Sequence, residues 1–104
     1  GNLIMIVDLN DFQSLGRLSE THSNLSNLPT TLISLGWEVL EIDGHSSTEL
    51  RKAMEFKSNK PLAVLAKTTK GKGVSFMENS PIWHYRSPSF DEYQLAVKEI
   101  RWKD

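Results

Sequence analysis

Side chains able to hold a charged ligand gather at three places, each just after an apolar run. In "DLNDF", Asp8, Asn10 and Asp11 put several oxygen donors on one turn. A hard cation such as Mg²⁺ takes oxygen ligands of this kind and keeps positions for phosphate. The same residue types also make an ordinary turn after a strand. In "DGHSS", Asp43, Gly44 and His45 precede Ser46. A glycine turn and a serine cap account for most of that segment, and His45 suits a structural role better than ligand contact. The third place is "KTTKGKG", Lys67 to Gly73, with three lysines and two glycines in seven residues. Glycines let a backbone approach phosphate and lysines supply charge. The stretch is not a P-loop, since G-x-x-x-x-G-K-[ST] is absent, and solvated loop lysines remain an equal reading. Beyond it, "WHY" (Trp83 to Tyr85) lies in a long segment without helical or strand pattern, Val74 to Pro88. A histidine near a basic glycine loop suits anion contact or proton shuttling. His22 sits in a Ser/Asn-rich loop without such company. No Ser or Cys has the surroundings of a catalytic nucleophile.

Three strands must carry these loops. "LIMIVD" (Leu3 to Asp8) and "LAVLAK" (Leu62 to Lys67) contain unbroken apolar runs, the pattern of strands covered on both faces of a parallel sheet. "WEVLEID" (Trp37 to Asp43) alternates, with Trp37, Val39 and Glu41 on one side. Helices fill the gaps. Pro29 to Leu35 is a short one with Gly36 as its stop. Ser46 with Glu49 fits a capping box before Leu50, Ala53 and Met54, and Asn59 and Pro61 end that run. Ser89 with Glu92 fits another, followed by a Tyr93, Ala96, Val97, Ile100 stripe. The alternation of strand and helix predicts an α/β, three-layer parallel-sheet fragment with right-handed crossovers. Ligands bind such sheets at the carboxyl ends of strands, which is where the three polar segments fall.

Totals narrow the setting. A chain of 104 residues makes one domain. Its net charge of −1 gives no reason to expect nucleic acid or an anionic membrane as partner. Without cysteine there are no disulfides or thiolate metal sites. The apolar runs fall far short of the roughly 20 residues that span a bilayer, and no signal peptide pattern precedes them. The expected setting is cytoplasmic.

"GNLIMIVDLNDFQSLG", "GWEVLEIDGHSSTEL", "KPLAVLAKTTKGKG" and "WH", in this order and over about Gly1 to Arg101, resemble transketolase. The match is to the second half of its N-terminal, thiamine-diphosphate-binding domain, in the type encoded as a separate subunit. The spacing from Gly73 to His84 is similar to that of the family's animal members. Deoxyxylulose-phosphate synthase shares several of the same features. The resemblance implies that residues 1–104 form a single partial domain, the C-terminal half of that diphosphate-binding domain. It implies thiamine diphosphate and Mg²⁺, or another divalent cation, as cofactors of the complete enzyme. Asn10 would offer its side-chain oxygen to the metal and Phe12 its backbone carbonyl. Lys70 and His84 would contact the cofactor diphosphate, with His84 also the catalytic candidate. The enzyme would transfer two-carbon ketol units between sugar phosphates. Its partners would be the remaining transketolase-like domains or subunit, in a homo-oligomer such as a dimer.

Departures matter too. Family members usually continue the Trp-His pair with Gly, where Tyr85 and Arg86 stand here. The family's Gly-Asp-Gly motif and its activating glutamate are not in these residues, so the expectation is a chain inactive alone. A non-catalytic binding or assembly module is the alternative, as is a piece of a deoxyxylulose-phosphate-synthase-like enzyme.

Overall fold

In a computed structural model of the chain, residues 1–10 and 27–101 are described in full. Between them only the backbone of two short strands is described. Strand β1 spans Ile4–Leu9, β2 Phe12–Gln13, β3 Gly16–Arg17, β4 Glu38–Asp43 and β5 Leu62–Lys67. Helix α1 spans Leu28–Ser34, α2 Ser47–Glu55 and α3 Phe90–Arg101, with a 3₁₀ turn at Pro81–His84. β2 and β3 form a small antiparallel pair. The other three strands make a parallel sheet in the order β1-β5-β4. Ile4 and Glu38 both stand opposite Leu62, and Leu9 and Asp43 both opposite Lys67. The three strands therefore end level, and their following loops leave the sheet side by side.

The central position of β5 explains its sequence. Leu62 to Ala66 are all buried, because helices cover both faces of that strand. Leu32 of α1 packs with Ala63 and Leu65 on one face, joined by Met5, Val7, Trp37 and Val39. Ala53 of α2 packs with Leu62 and Val64 on the other, joined by Leu40 and Ile42. One helix per face gives the expected three layers.

β1 departs from its expected burial. Its apolar run predicts cover on both faces, yet its burial alternates: Ile4 and Ile6 are exposed, while Met5, Val7 and Leu9 are partly buried. α2 packs on β5 and β4, and the cluster it forms there includes no residue of β1.

The helix ends follow local chemistry. α1 has Pro29 in its first turn, and Gly36 beyond it takes φ +90°, a left-handed conformation suited to glycine. At α2 the Ser46 hydroxyl accepts from the Glu49 amide at 3.2 Å. The Glu49 carboxylate reaches further back than in a capping box, accepting from the Asp43 amide at 2.6 Å. At α3 the Ser89 hydroxyl accepts from the Glu92 amide at 3.3 Å. Here the expected stripe is half corrected: Ala96 is buried and Val97 half-buried, but Tyr93 and Ile100 are exposed. Glu92 and Glu99 take the inward places instead, because both are bonded to the segment beneath.

Candidate functional site

The carboxyl ends of β1, β4 and β5 carry the three polar segments, and the middle one in space is the last in sequence. The segment after β5 is bonded to both neighbours. Toward β1, the Thr68 amide donates to the Leu9 carbonyl at 3.3 Å, and the Thr68 hydroxyl donates to Asp8 Oδ1. Toward β4, the Gly44 amide donates to the Lys67 carbonyl at 2.8 Å. The Thr69 amide donates to His45 Nε2 at 2.8 Å. Gly44 is required by closeness: a Cβ there would lie 2.4 Å from the Thr68 methyl. The His45 amide in turn donates to Asp43 Oδ1 at 2.8 Å, which closes the turn.

Above these ties lies an open hollow of about 600 Å³, lined by Asp8, Asn10, His45, Thr68, Thr69 and Lys70 and by the glycine loop that follows. That volume is in the range of small-ligand sites. Among the described residues its charged lining is two cations, Lys70 and Lys72, against the carboxylate of Asp8, which Thr68 already engages. The balance favours an anion. Another hollow, of about 500 Å³, lies at the opposite, amino end of the strands between Ile4, Met54 and Phe56. Its described lining includes Lys57 and Lys60 but no histidine and no glycine loop, whereas the carboxyl-end hollow has His45 and the Lys70–Lys72 glycine loop.

The segment expected to be irregular is instead closed by its own hydrogen bonds. The amides of Lys72, Val74, Met77 and Ser80 each donate back three residues, and the Asn79 amide returns to the Lys70 carbonyl at 2.9 Å. Gly71 and Gly73 have φ of +75° and +100°, and a Cβ on Gly71 would stand 2.5 Å from the Met77 carbonyl oxygen. Glu78 accepts from the Gly73 amide at 3.0 Å. The loop returns through Pro81–His84 to Lys70, where Lys70 Nζ and His84 Nδ1 are 3.4 Å apart.

Asn10 and Lys70 thus line one hollow, and His84 touches Lys70 from the side. Lys70 is half-buried, whereas Lys67 and Lys72 are exposed. Phe12 is described only as the first residue of β2, paired with Arg17. Asp11, His22 and the Phe12 side chain lie outside the described residues. Among the described residues no three His, Asp or Glu side chains stand together as a metal cage. A cation here would rest on Asn10 and on the oxygens of a bound phosphate, a donor set that suits Mg²⁺. Glycines, two ammonium groups and an imidazole suit the phosphate itself.

Reading by segment missed the linking residues. Thr68 and Thr69 bond to partners 60 and 24 residues away. His45 both ties the loops and lines the hollow. Its place after a strand that ends in Asp-Gly was the available signal.

No family model matches the chain. Curated relatives do. The chain is 34% identical over 102 residues to one of the subunits of the apulose-4-phosphate transketolase of Phocaeicola vulgatus, covering 95% of this chain and 36% of that one. It is 32% identical over 99 residues to human transketolase, covering 95% of this chain and 16% of that one. Among solved structures it is similar to transketolase from Campylobacter jejuni, with a TM-score of 0.73 and 26% identity. That match covers 98% of this chain and 20% of the other. The chain therefore spans about a third or less of the length of these relatives.

Proposed function

The chain belongs to the transketolase-like family, and from that membership we propose that it supplies one wall of a thiamine diphosphate site. The complete protein would transfer two-carbon ketol units between sugar phosphates. The observation that carries the reading is that Asn10 and Lys70 line one hollow at the level carboxyl ends of one parallel sheet, with His84 against Lys70.

In this reading the chain is the C-terminal half of a diphosphate-binding domain. Lys70 and the backbone of the glycine loop would neutralise the diphosphate, and His84, next to Lys70, would contact it as well. Asn10 and the Phe12 carbonyl would be the protein ligands of Mg²⁺. Gly71 and Gly73 keep side chains out of the path by which the backbone approaches the phosphates. The cofactor, when bound, supplies the carbanion chemistry of ketol transfer. The residues of this chain bind and orient. His84, exposed and next to Lys70, is the one positioned to hold or pass a proton beside the diphosphate. The exposed Ile4 and Ile6 on β1, which pairs with β5 alone among the described residues, fit a further transketolase-like domain or subunit, in a homo-oligomer.

Calorimetry on the full protein with thiamine diphosphate and Mg²⁺ tests this. Binding is expected, and its loss on replacing Lys70, His84 or Asn10 by alanine. Unchanged affinity in all three variants removes the assignment.

A further inference from the structure

The residues that replace the family's usual glycine after Trp-His have a place in the geometry. The Trp83 indole nitrogen donates to the Phe76 carbonyl at 3.2 Å, and its ring meets Phe76 edge-on with centroids 5.6 Å apart. On the indole lies Arg86, with its guanidinium carbon 4.4 Å from the ring centroid. The same guanidinium pairs with Glu92 Oε1 at 2.5 Å. Glu92 sits in the first turn of α3, whose start Ser89 caps. Seven residues on, Glu99 accepts from both the amide and the hydroxyl of Ser75 at 2.6 Å. α3 is thus fastened at two points, two turns apart, to the segment that carries His84.

We propose that Arg86 is a positioning residue for His84. Trp83 precedes His84 and Arg86 follows it by two, so stacking one on the other closes a short loop over Tyr85. That loop sets where the imidazole points. With the stack in place, His84 Nδ1 stands at 3.4 Å from Lys70 Nζ. Without it, the described contacts that hold the turn all lie before His84 or within the turn itself: the Pro81 entry, the Trp83 contacts with Phe76, and the amide bond from Tyr85 to the Ile82 carbonyl. An arginine suits the task because a flat guanidinium can lie on an indole while its edge pairs with a carboxylate; an ammonium cannot do both in the same way. The contribution to ligand binding rests on the diphosphate reading above, but the contact between His84 and Lys70 does not.

The test uses the full protein labelled in histidine rings, with the His84 signal identified by His84→Asn. Lys70→Ala is expected to shift the His84 ring signal. In Arg86→Ala that response to Lys70→Ala should vanish, and in Arg86→Lys it should fall without vanishing. Tyr85→Ala, at an exposed side chain, should leave it intact. A response of equal size with and without Arg86, or no response even when Arg86 is present, overturns the proposal. Should Arg86→Ala fail to fold by circular dichroism, Glu92→Gln, which leaves the guanidinium in place but weakens its tether, carries the same comparison. Inorganic pyrophosphate with Mg²⁺ is then added to the parent protein. A silent His84 signal in that arm sinks the diphosphate reading and leaves the result for Arg86 standing.

Discussion

Lys67, Lys70 and Lys72 look alike in the sequence, and their surroundings separate them. Only Lys70 is half-buried and in touch with His84. Its ammonium should therefore carry most of the charge-assisted binding. Lys70→Ala is expected to weaken thiamine diphosphate binding in the full protein by about 1–3 kcal/mol, the usual range for such a bond. Lys67→Ala should leave it nearly unchanged; equal losses by calorimetry would refute the distinction. Asn10→Ala should raise the Mg²⁺ concentration needed for half-maximal cofactor binding. A metal titration that does not move would exclude Asn10 as a ligand. The two loop glycines separate by space as well as conformation. Both have positive φ, but only Gly71 would drive a Cβ into a carbonyl, that of Met77. Strain of this kind costs about 1–3 kcal/mol. Gly71→Ala should lower the urea midpoint clearly more than Gly73→Ala, and the reverse order would contradict the loop geometry.

At the scale of elements, β5 holds the sheet together. It pairs with both neighbours, and Val64 and Leu65 are its largest fully buried side chains. Leu65→Ala leaves a cavity against Leu32 and should cost about 2–5 kcal/mol. Against a total stability of about 5–15 kcal/mol for a typical domain, that is a large share. Loss of the cap at α2 is a smaller matter: Ser46→Ala should cost about 1 kcal/mol. Chemical denaturation of the two variants checks the ratio, and equal midpoints would show that β5 is not the core. The cap still bears on the site, because Glu49 in the same turn holds the Asp43 amide just before His45.

At the scale of the whole molecule, the β1 side stands out among the described residues. β1 is an edge strand of the three-stranded sheet, with Ile4 and Ile6 exposed beside it. Unpaired strand edges next to exposed apolar side chains favour association. The 104-residue chain alone should self-associate, and Ile6→Lys should reduce this without unfolding it. A monomer at high concentration by light scattering would count against the idea. A hollow open on one side cannot enclose a cofactor, so these residues alone should bind thiamine diphosphate weakly or undetectably. Submicromolar affinity would reverse that view.

What was legible in the sequence were features written in neighbouring residues. Apolar runs and caps located the three sheet strands and the three helices, since periodicity and end chemistry act over a few residues. The strand ends could be named as the place of chemistry for the same reason. The order β1-β5-β4 was not legible, because it depends on which buried strand both helices can cover. That order puts "KTTKGKG" between its neighbours and lets Thr68 and Thr69 bind partners distant in sequence. It also leaves β1, whose composition matches that of β5, with Ile4 and Ile6 exposed. The inward face of α3 was not legible either: Glu92 and Glu99 bond to Arg86 and Ser75, contacts that the spacing of apolar residues does not announce, while Tyr93 and Ile100 stay exposed.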